Sequence, residues 1–368
     1  MYKGENTFES RAEQSRAEQS RAEQSRAEQS RAEQSRAEQS RENWIDVIKA
    51  ICMIFIVMSH LPYCPKALRH FLTPFFLTGF YFASGYVMKP LSTRKFSIKK
   101  AKTILWPWFI FSTVEIIMLS KFGNHETTIV GYIFYTLLQV KDLHESLWFF
   151  PSLFVTLIFA DYLILKFDEK RLTLIACAML IGSRLYGMFM PVNLLPWNSV
   201  CLPWHIHNVG TTSFFVIFGY LYKKYQLNKK IKGYISIVFV LVYLMELYIT
   251  RNTIEVGIWN YLGLFEWILL MGTGLAMIIT VSQIKILKDS RILSYIGQNT
   301  LLYYALHQNL CRVIDHLING WSWGYGFAQT LVGQWIFTVV FASFILSVLV
   351  IPIEFIKRKM EFLTRFVW

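Results

Sequence analysis

Apolar runs of about 18 to 25 residues recur along this chain from Trp44 onward, each long enough to cross a bilayer as a helix. They lie near residues 44–62, 71–88, 103–120, 147–165, 172–190, 207–222, 233–249, 256–282, 292–311 and 330–356. A further run, 128–140, is too short to cross a hydrocarbon core of about 30 Å. The 54% apolar and 17% aromatic content is too high for an ordinary soluble domain. The expectation is an all-α polytopic membrane protein, with about ten transmembrane helices and one short helix that does not cross.

Charge orders these runs across the bilayer. The net charge of +13 is spread between them rather than gathered for nucleic acid, so no nucleic-acid partner is expected. Connections at 89–102, 166–171, 223–232 and 283–291, with the tail from Lys357, hold 21 Lys and Arg residues. The alternate connections hold six: Lys66, Arg69, Lys121, Lys141, Arg251 and Arg312. Cytoplasmic loops carry the excess of Lys and Arg, so this bias places both termini in the cytoplasm if 128–140 returns to the side it came from.

Residues 1–43 form a separate hydrophilic tail, with six RAEQS pentads over 11–40 and no charged-then-apolar pattern of a cleavable signal. A five-residue period advances 140° per copy on a helix, so no apolar face accumulates and the tail reads as a spacer or disordered segment. The membrane domain runs over 44–360, and 361–368 form a cytoplasmic C-terminal end. The five cysteines lack the paired spacing of a metal or redox site. Cys64 and Cys201 fall on the outer side, where they can meet.

Asp46, Lys49 and His60 all lie in the first run, where ionisable groups are costly and mark function. At 100° per residue, Lys49 and His60 lie within about 20° of one another, with Asp46 about 40° away on the same face. A rise of about 1.5 Å per residue separates Lys49 and His60 by roughly 16 Å, so a joint role needs a long ligand. By the same count His60 is about 24 Å, and His307 about 22 Å, from the inner ends of their helices. Both imidazoles therefore reach one depth in the outer half of the bilayer.

The pattern Asp46, Lys49, His60, followed by FFLTGFYFASGYVMK, resembles the membrane O-acyltransferases of acyltransferase family 3. It is most similar to the branch described as fucose 4-O-acetylase-like, which suits Lys49 where most of the wider family has Arg. Further similar stretches follow in order: KKAKTILWPWFIFS (99–112), LWFFPSLF (147–154), FFVIFGYLYKK (214–224) and IGQNTLLYYALH (296–307). Together they cover roughly residues 41–360 and exclude the pentads.

The resemblance implies catalysis by His60 as general base, or through an acyl-histidine, with His307 as an active-site wall or a core histidine. It implies acetyl-CoA as donor, with Lys49 holding its pantetheine or phosphate and Asp46 orienting Lys49. Lys49 alone also reads as a snorkelling cation paired with Asp46 at i, i+3. Lys95, Lys99, Lys100 and Lys102 read first as a topogenic cytoplasmic loop and second as attraction for the nucleotide end of the donor. Glu145, Trp148 and His205 are the candidate acceptor contacts, and no metal is expected. Ser84 and Gly85 read as a close helix contact. Arg184, Glu115, Glu246 and Glu266 each require a partner or a wet cavity.

The implied activity is transfer of acetyl to a hydroxyl of a surface polysaccharide or its lipid-linked precursor, in a bacterial cytoplasmic membrane. O-succinyl transfer and non-enzymatic export of a lipid-linked glycan are the alternatives. Membrane lipid surrounds the chain in any of these readings, and its oligomeric state is open.

Overall fold

The computed structural model describes residues 43–122, 128–139, 147–191, 201–227, 233–249 and 264–359. The pentads, Glu145 and residues 361–368 lie outside them. The chain divides into a unit Met1–Asn43 and a unit Trp44–Trp368, and the elements below, apart from the first residue of the first helix, belong to the second. Every described regular element is helical.

Helix α1 (Asn43–His60) is buried around most of its circumference, including Trp44, Ile48, Cys52, Met53, Ile56 and Val57. Its apolar stretch is 61% buried, against 22% for the stretches at Thr93–Met118 and Glu169–Phe189, so α1 is central and those two are peripheral. Pro62 has no N–H to continue the helix and disfavours helical backbone just before it. The helix accordingly stops at His60, a tight turn follows, and α2 (Lys66–Tyr86) begins behind Pro65.

The next helix differs from the expected loop. Residues 93–105 form α3 (Thr93–Lys100) and a π-helical turn (Ala101–Leu105) leading into α4 (Trp106–Phe122). Lys95, Lys99, Lys100 and Lys102 are therefore wound on a helix rather than lying in a loop. The reason is physical: Lys and Arg favour helix as well as most apolar residues do, and hydropathy does not register them. The short run forms α5 (Ile129–Leu138), capped by the Thr128 hydroxyl accepting from the Gly131 N–H at 3.2 Å.

Then follow α6 (Phe149–Lys166), α7 (Glu169–Phe189), a 3₁₀ segment (Pro203–Asn208), α8 (Val209–Lys224), α9 (Gly233–Ile249) and α10 (Leu264–Val281). The chain continues through α11 (Lys285–Lys288), α12 (Arg291–Gln298), α13 (Thr300–Asn319), α14 (Ser322–Ala328), α15 (Leu331–Val348) and α16 (Val350–Lys359). Among the described residues six helical stretches are long and apolar enough to cross a membrane: Asn43–His60, Thr93–Met118, Phe149–Lys166, Glu169–Phe189, Leu264–Val281 and Leu331–Arg358. The other four expected spans are helices too, but α8 and α9 have 16 and 17 residues, and α2 and α12–α13 carry more polar side chains.

Small residues and buried hydroxyls hold the bundle together, as expected where packing and interhelical hydrogen bonds replace the hydrophobic effect. A Cβ on Gly85 would sit 1.9 Å from the Val216 carbonyl oxygen, and one on Gly219 would sit 2.1 Å from that of Phe82. Helices α2 and α8 thus touch backbone to backbone, the close contact expected at Gly85. Thr156 and Thr212 bond at 2.7 Å between α6 and α8, and Tyr81 and Ser152 at 2.9 Å between α2 and α6. Cys64 and Cys201 are both free thiols, so the pairing left open by the sequence is absent.

Candidate active site

His60 and His307 meet. Their ring centroids are 5.1 Å apart, edge to face, with 76° between the planes. His60 sits in the last turn of α1, and His307 in the middle of α13, fully buried. The His60 Nδ1 lies 2.8 Å from the Ile56 carbonyl and the His307 Nδ1 lies 2.8 Å from that of Tyr304. A carbonyl only accepts, so each Nδ1 carries the hydrogen, and in the neutral rings each Nε2 keeps a lone pair. The His307 Nε2 is buried without a hydrogen-bond partner.

His60 opens onto a cavity. Its volume is about 250 Å³, and it is lined by His60, Pro62, Gln308, Cys311, Arg312 and Asp315. Arg312 donates to Glu115 at 3.0 Å and to the Asn309 side-chain Oδ1 at 3.2 Å. Arg69 also faces His60 closely enough to act on it electrostatically, and it donates to the Leu61 carbonyl at 3.2 Å. A larger cavity of about 500 Å³, lined by residues including Phe214, Phe218, Trp267, Met271 and Leu275, is almost wholly apolar and holds no base. The smaller one has a base, His60, in its wall.

A row of rings leads from this pair to two of the candidate acceptor contacts. His307 lies 5.6 Å from Tyr304, Tyr304 lies 5.3 Å from Phe149, and Phe149 lies 6.3 Å from Trp148. Trp148 stacks on His205 at 4.3 Å. Trp204 and His205 adopt φ 55° and 54°, left-handed backbone that bulky residues rarely take. Such strain costs about 1–3 kcal/mol per residue and collects at functional sites. His205 and His207 lie 5.6 Å apart, yet among the described residues no three His, Cys, Asp or Glu side chains converge to hold a metal. Glu145 lies outside the described residues.

The basic residues gather at the other end of α1. Lys49 and Asp46 form an ion pair at 2.7 Å, with the carboxylate almost wholly buried. Gly297 packs on this turn so tightly that a Cβ there would sit 1.9 Å from the Asp46 carbonyl oxygen. Trp44 meets Tyr86 at 4.8 Å and Tyr222 at 6.1 Å, and Lys223 lies over the Tyr86 ring at 5.3 Å. The structure also brings in a residue that the sequence did not single out. Asp161 of α6 is buried, accepts from the Leu91 N–H at 3.1 Å and faces Lys100 electrostatically. Lys95, Lys99 and Lys102 lie on the same short stretch of helix.

Three of the four in-span charges meet partners in the described structure. Glu115 pairs with Arg312, Glu246 accepts from the Thr273 hydroxyl at 2.9 Å, and Arg184 lies over the Trp267 ring at 5.7 Å. Glu266 is exposed.

A family model described as an acyltransferase domain matches residues 42–353, the whole stretch from the start of α1 into α16. The chain belongs to acyltransferase family 3. No curated protein and no solved structure matches it. As a member of acyltransferase family 3 it is a membrane acyltransferase, and both imidazoles and the Asp46–Lys49 pair lie inside the matched domain.

Proposed function

We propose that this acyltransferase moves an acetyl group from cytoplasmic acetyl-CoA to a hydroxyl of a cell-surface glycan or its lipid-linked precursor. It acts in a bacterial cytoplasmic membrane and is most similar to the fucose 4-O-acetylase-like branch. The observation that carries the reading is His60: its Nδ1–H is tied to the Ile56 carbonyl and its ring opens onto a polar cavity. An imidazole so held is oriented, and its Nε2 is left as a base.

The chemistry then balances simply. The acceptor oxygen forms a bond to the thioester carbonyl carbon as His60 takes the hydroxyl proton. The tetrahedral adduct collapses, the carbon–sulfur bond breaks, and the thiolate leaves with the proton returned by His60. His307 backs the His60 ring and fixes its plane.

In our reading the chain crosses ten times with both termini inside, which would divide the labour between the two faces. Lys49, Lys223 and the Lys95–Lys102 stretch would lie on the cytoplasmic side, and His60 in the outer half. The loop bias of 21 basic residues against six supports that orientation. Eleven residues from Lys49 to His60, about 16 Å, suit the extended pantetheine arm of the donor.

Two results follow. Cells lacking the protein should lose alkali-labile acetyl from their surface glycan and regain it when the gene is restored; an unchanged acetyl content overturns the reading, and loss of succinyl instead identifies O-succinyl transfer. Lys49→Ala should lower transfer at limiting acetyl-CoA by about tenfold or more, the weight of one charge-assisted contact, whereas Lys49→Arg retains it. Initial rates against acetyl-CoA concentration check this.

A further inference from the structure

We infer that one face of α13, Gln308, Arg312 and Asp315, forms the acceptor subsite, and that it takes a single neutral sugar ring through neighbouring hydroxyls. This rests on the acyltransferase reading of His60 and deepens it, since the sequence pointed instead to Glu145, Trp148 and His205 for the acceptor.

Three observations carry the inference. First, the three residues follow at i, i+4 and i+7, so they line one stripe of the helix, and that stripe faces the cavity that His60 faces. A hydroxyl bound there is adjacent to the base. Second, the two charged side chains are held from behind. Glu115 of α4 fixes Arg312 at 3.0 Å. The Asn319 side-chain amide donates to Asp315 Oδ1 at 3.1 Å and itself accepts from the Tyr63 hydroxyl at 2.6 Å. Side chains positioned in this way meet a ligand with little further loss of rotamer freedom.

Third, the donors and acceptors suit hydroxyls. Arg312 offers only N–H donors, Asp315 only acceptor oxygens, and Gln308 both. A pair of adjacent hydroxyls can accept from the guanidinium and donate to the carboxylate at once. Charges cancel around the cavity: Arg69 and Arg312 are matched by Glu115 and Asp315, so nothing there favours an acidic sugar over a neutral one. A volume of about 250 Å³ lies just below the usual range of ligand pockets, about 300–1,000 Å³, which suits one ring rather than several.

The test uses the full chain in membranes, labelled acetyl-CoA, and a panel of probes: the methyl glycosides of glucose, galactose, mannose, N-acetylglucosamine and glucuronic acid. Label should pass to at least one neutral glycoside in preference to the glucuronide. Asp315→Asn, which keeps size and shape, should raise the KM for that glycoside tenfold or more while moving the KM for acetyl-CoA less than twofold. Tyr63→Phe, which loosens Asn319 and hence Asp315, should raise the glycoside KM by a smaller factor in the same sense. Preference for the glucuronide, a glycoside KM within twofold in Asp315→Asn, or label on none of the neutral glycosides each overturns the subsite. If His60-dependent consumption of acetyl-CoA persists in that last case, the acyltransferase reading survives its failure. Consumption that ignores His60 overturns both.

Discussion

Replacing His60 with alanine is expected to lower acyl transfer by about 10²–10⁴-fold, the range for loss of a general base, with the protein still present in the membrane. The imidazole is exposed at the end of α1, where it meets the Ile56 carbonyl and, edge to face, the His307 ring. Its removal opens no core. His60→Gln separates chemistry from architecture, because the amide can still donate to the Ile56 carbonyl but has no basic nitrogen. Both variants should be equally inactive in initial-rate assays with labelled donor; near-normal transfer by His60→Gln would assign the histidine a packing role.

Replacing Gly85 with leucine is expected to prevent the bundle from assembling. Overpacking costs about 1–3 kcal/mol when neighbours can shift. Here the obstruction is a backbone carbonyl, that of Val216, 1.9 Å from the new Cβ, and Gly219 makes the reciprocal approach to Phe82. Helices α2 and α8 would have to part, pulling apart the Trp44, Tyr86 and Tyr222 cluster at the same end. Fluorescence-detected size-exclusion in detergent should show loss of the folded peak. Gly182, whose Cβ would meet nothing within 4 Å, serves as the control, and Gly182→Leu should leave that peak intact.

Much of this was legible in the residues, for identifiable reasons. Helical rise alone sets His60 and His307 at one depth, because both are counted from helix ends fixed by loops rich in Lys and Arg, and the structure brings their rings together. Gly85 was readable as a close contact because it follows Ser84, and small residues in a span let helix backbones approach closely.

The polar stripe of α13 was not read. Hydropathy ends the span near Cys311, whereas α13 continues to Asn319 because its polar residues share one face and its apolar residues the other. The spacing 308, 312, 315, 319 carried that signal. Pairing was beyond reach for another reason: Arg312 and Glu115 are 197 positions apart, and nothing local links them. The Lys-rich helix α3 was missed because charge and helix propensity point in different directions there.

Central to the account is transfer across the bilayer, from a donor on the cytoplasmic side to an acceptor beyond His60. Sealed inside-out vesicles expose the cytoplasmic face, so labelled acetyl-CoA added outside them meets only that face. The account predicts alkali-labile label on glycan enclosed in the vesicles, present with the wild-type chain and absent with His60→Ala. Label that appears only when acetyl-CoA is given to right-side-out vesicles, or that appears regardless of His60, would contradict it.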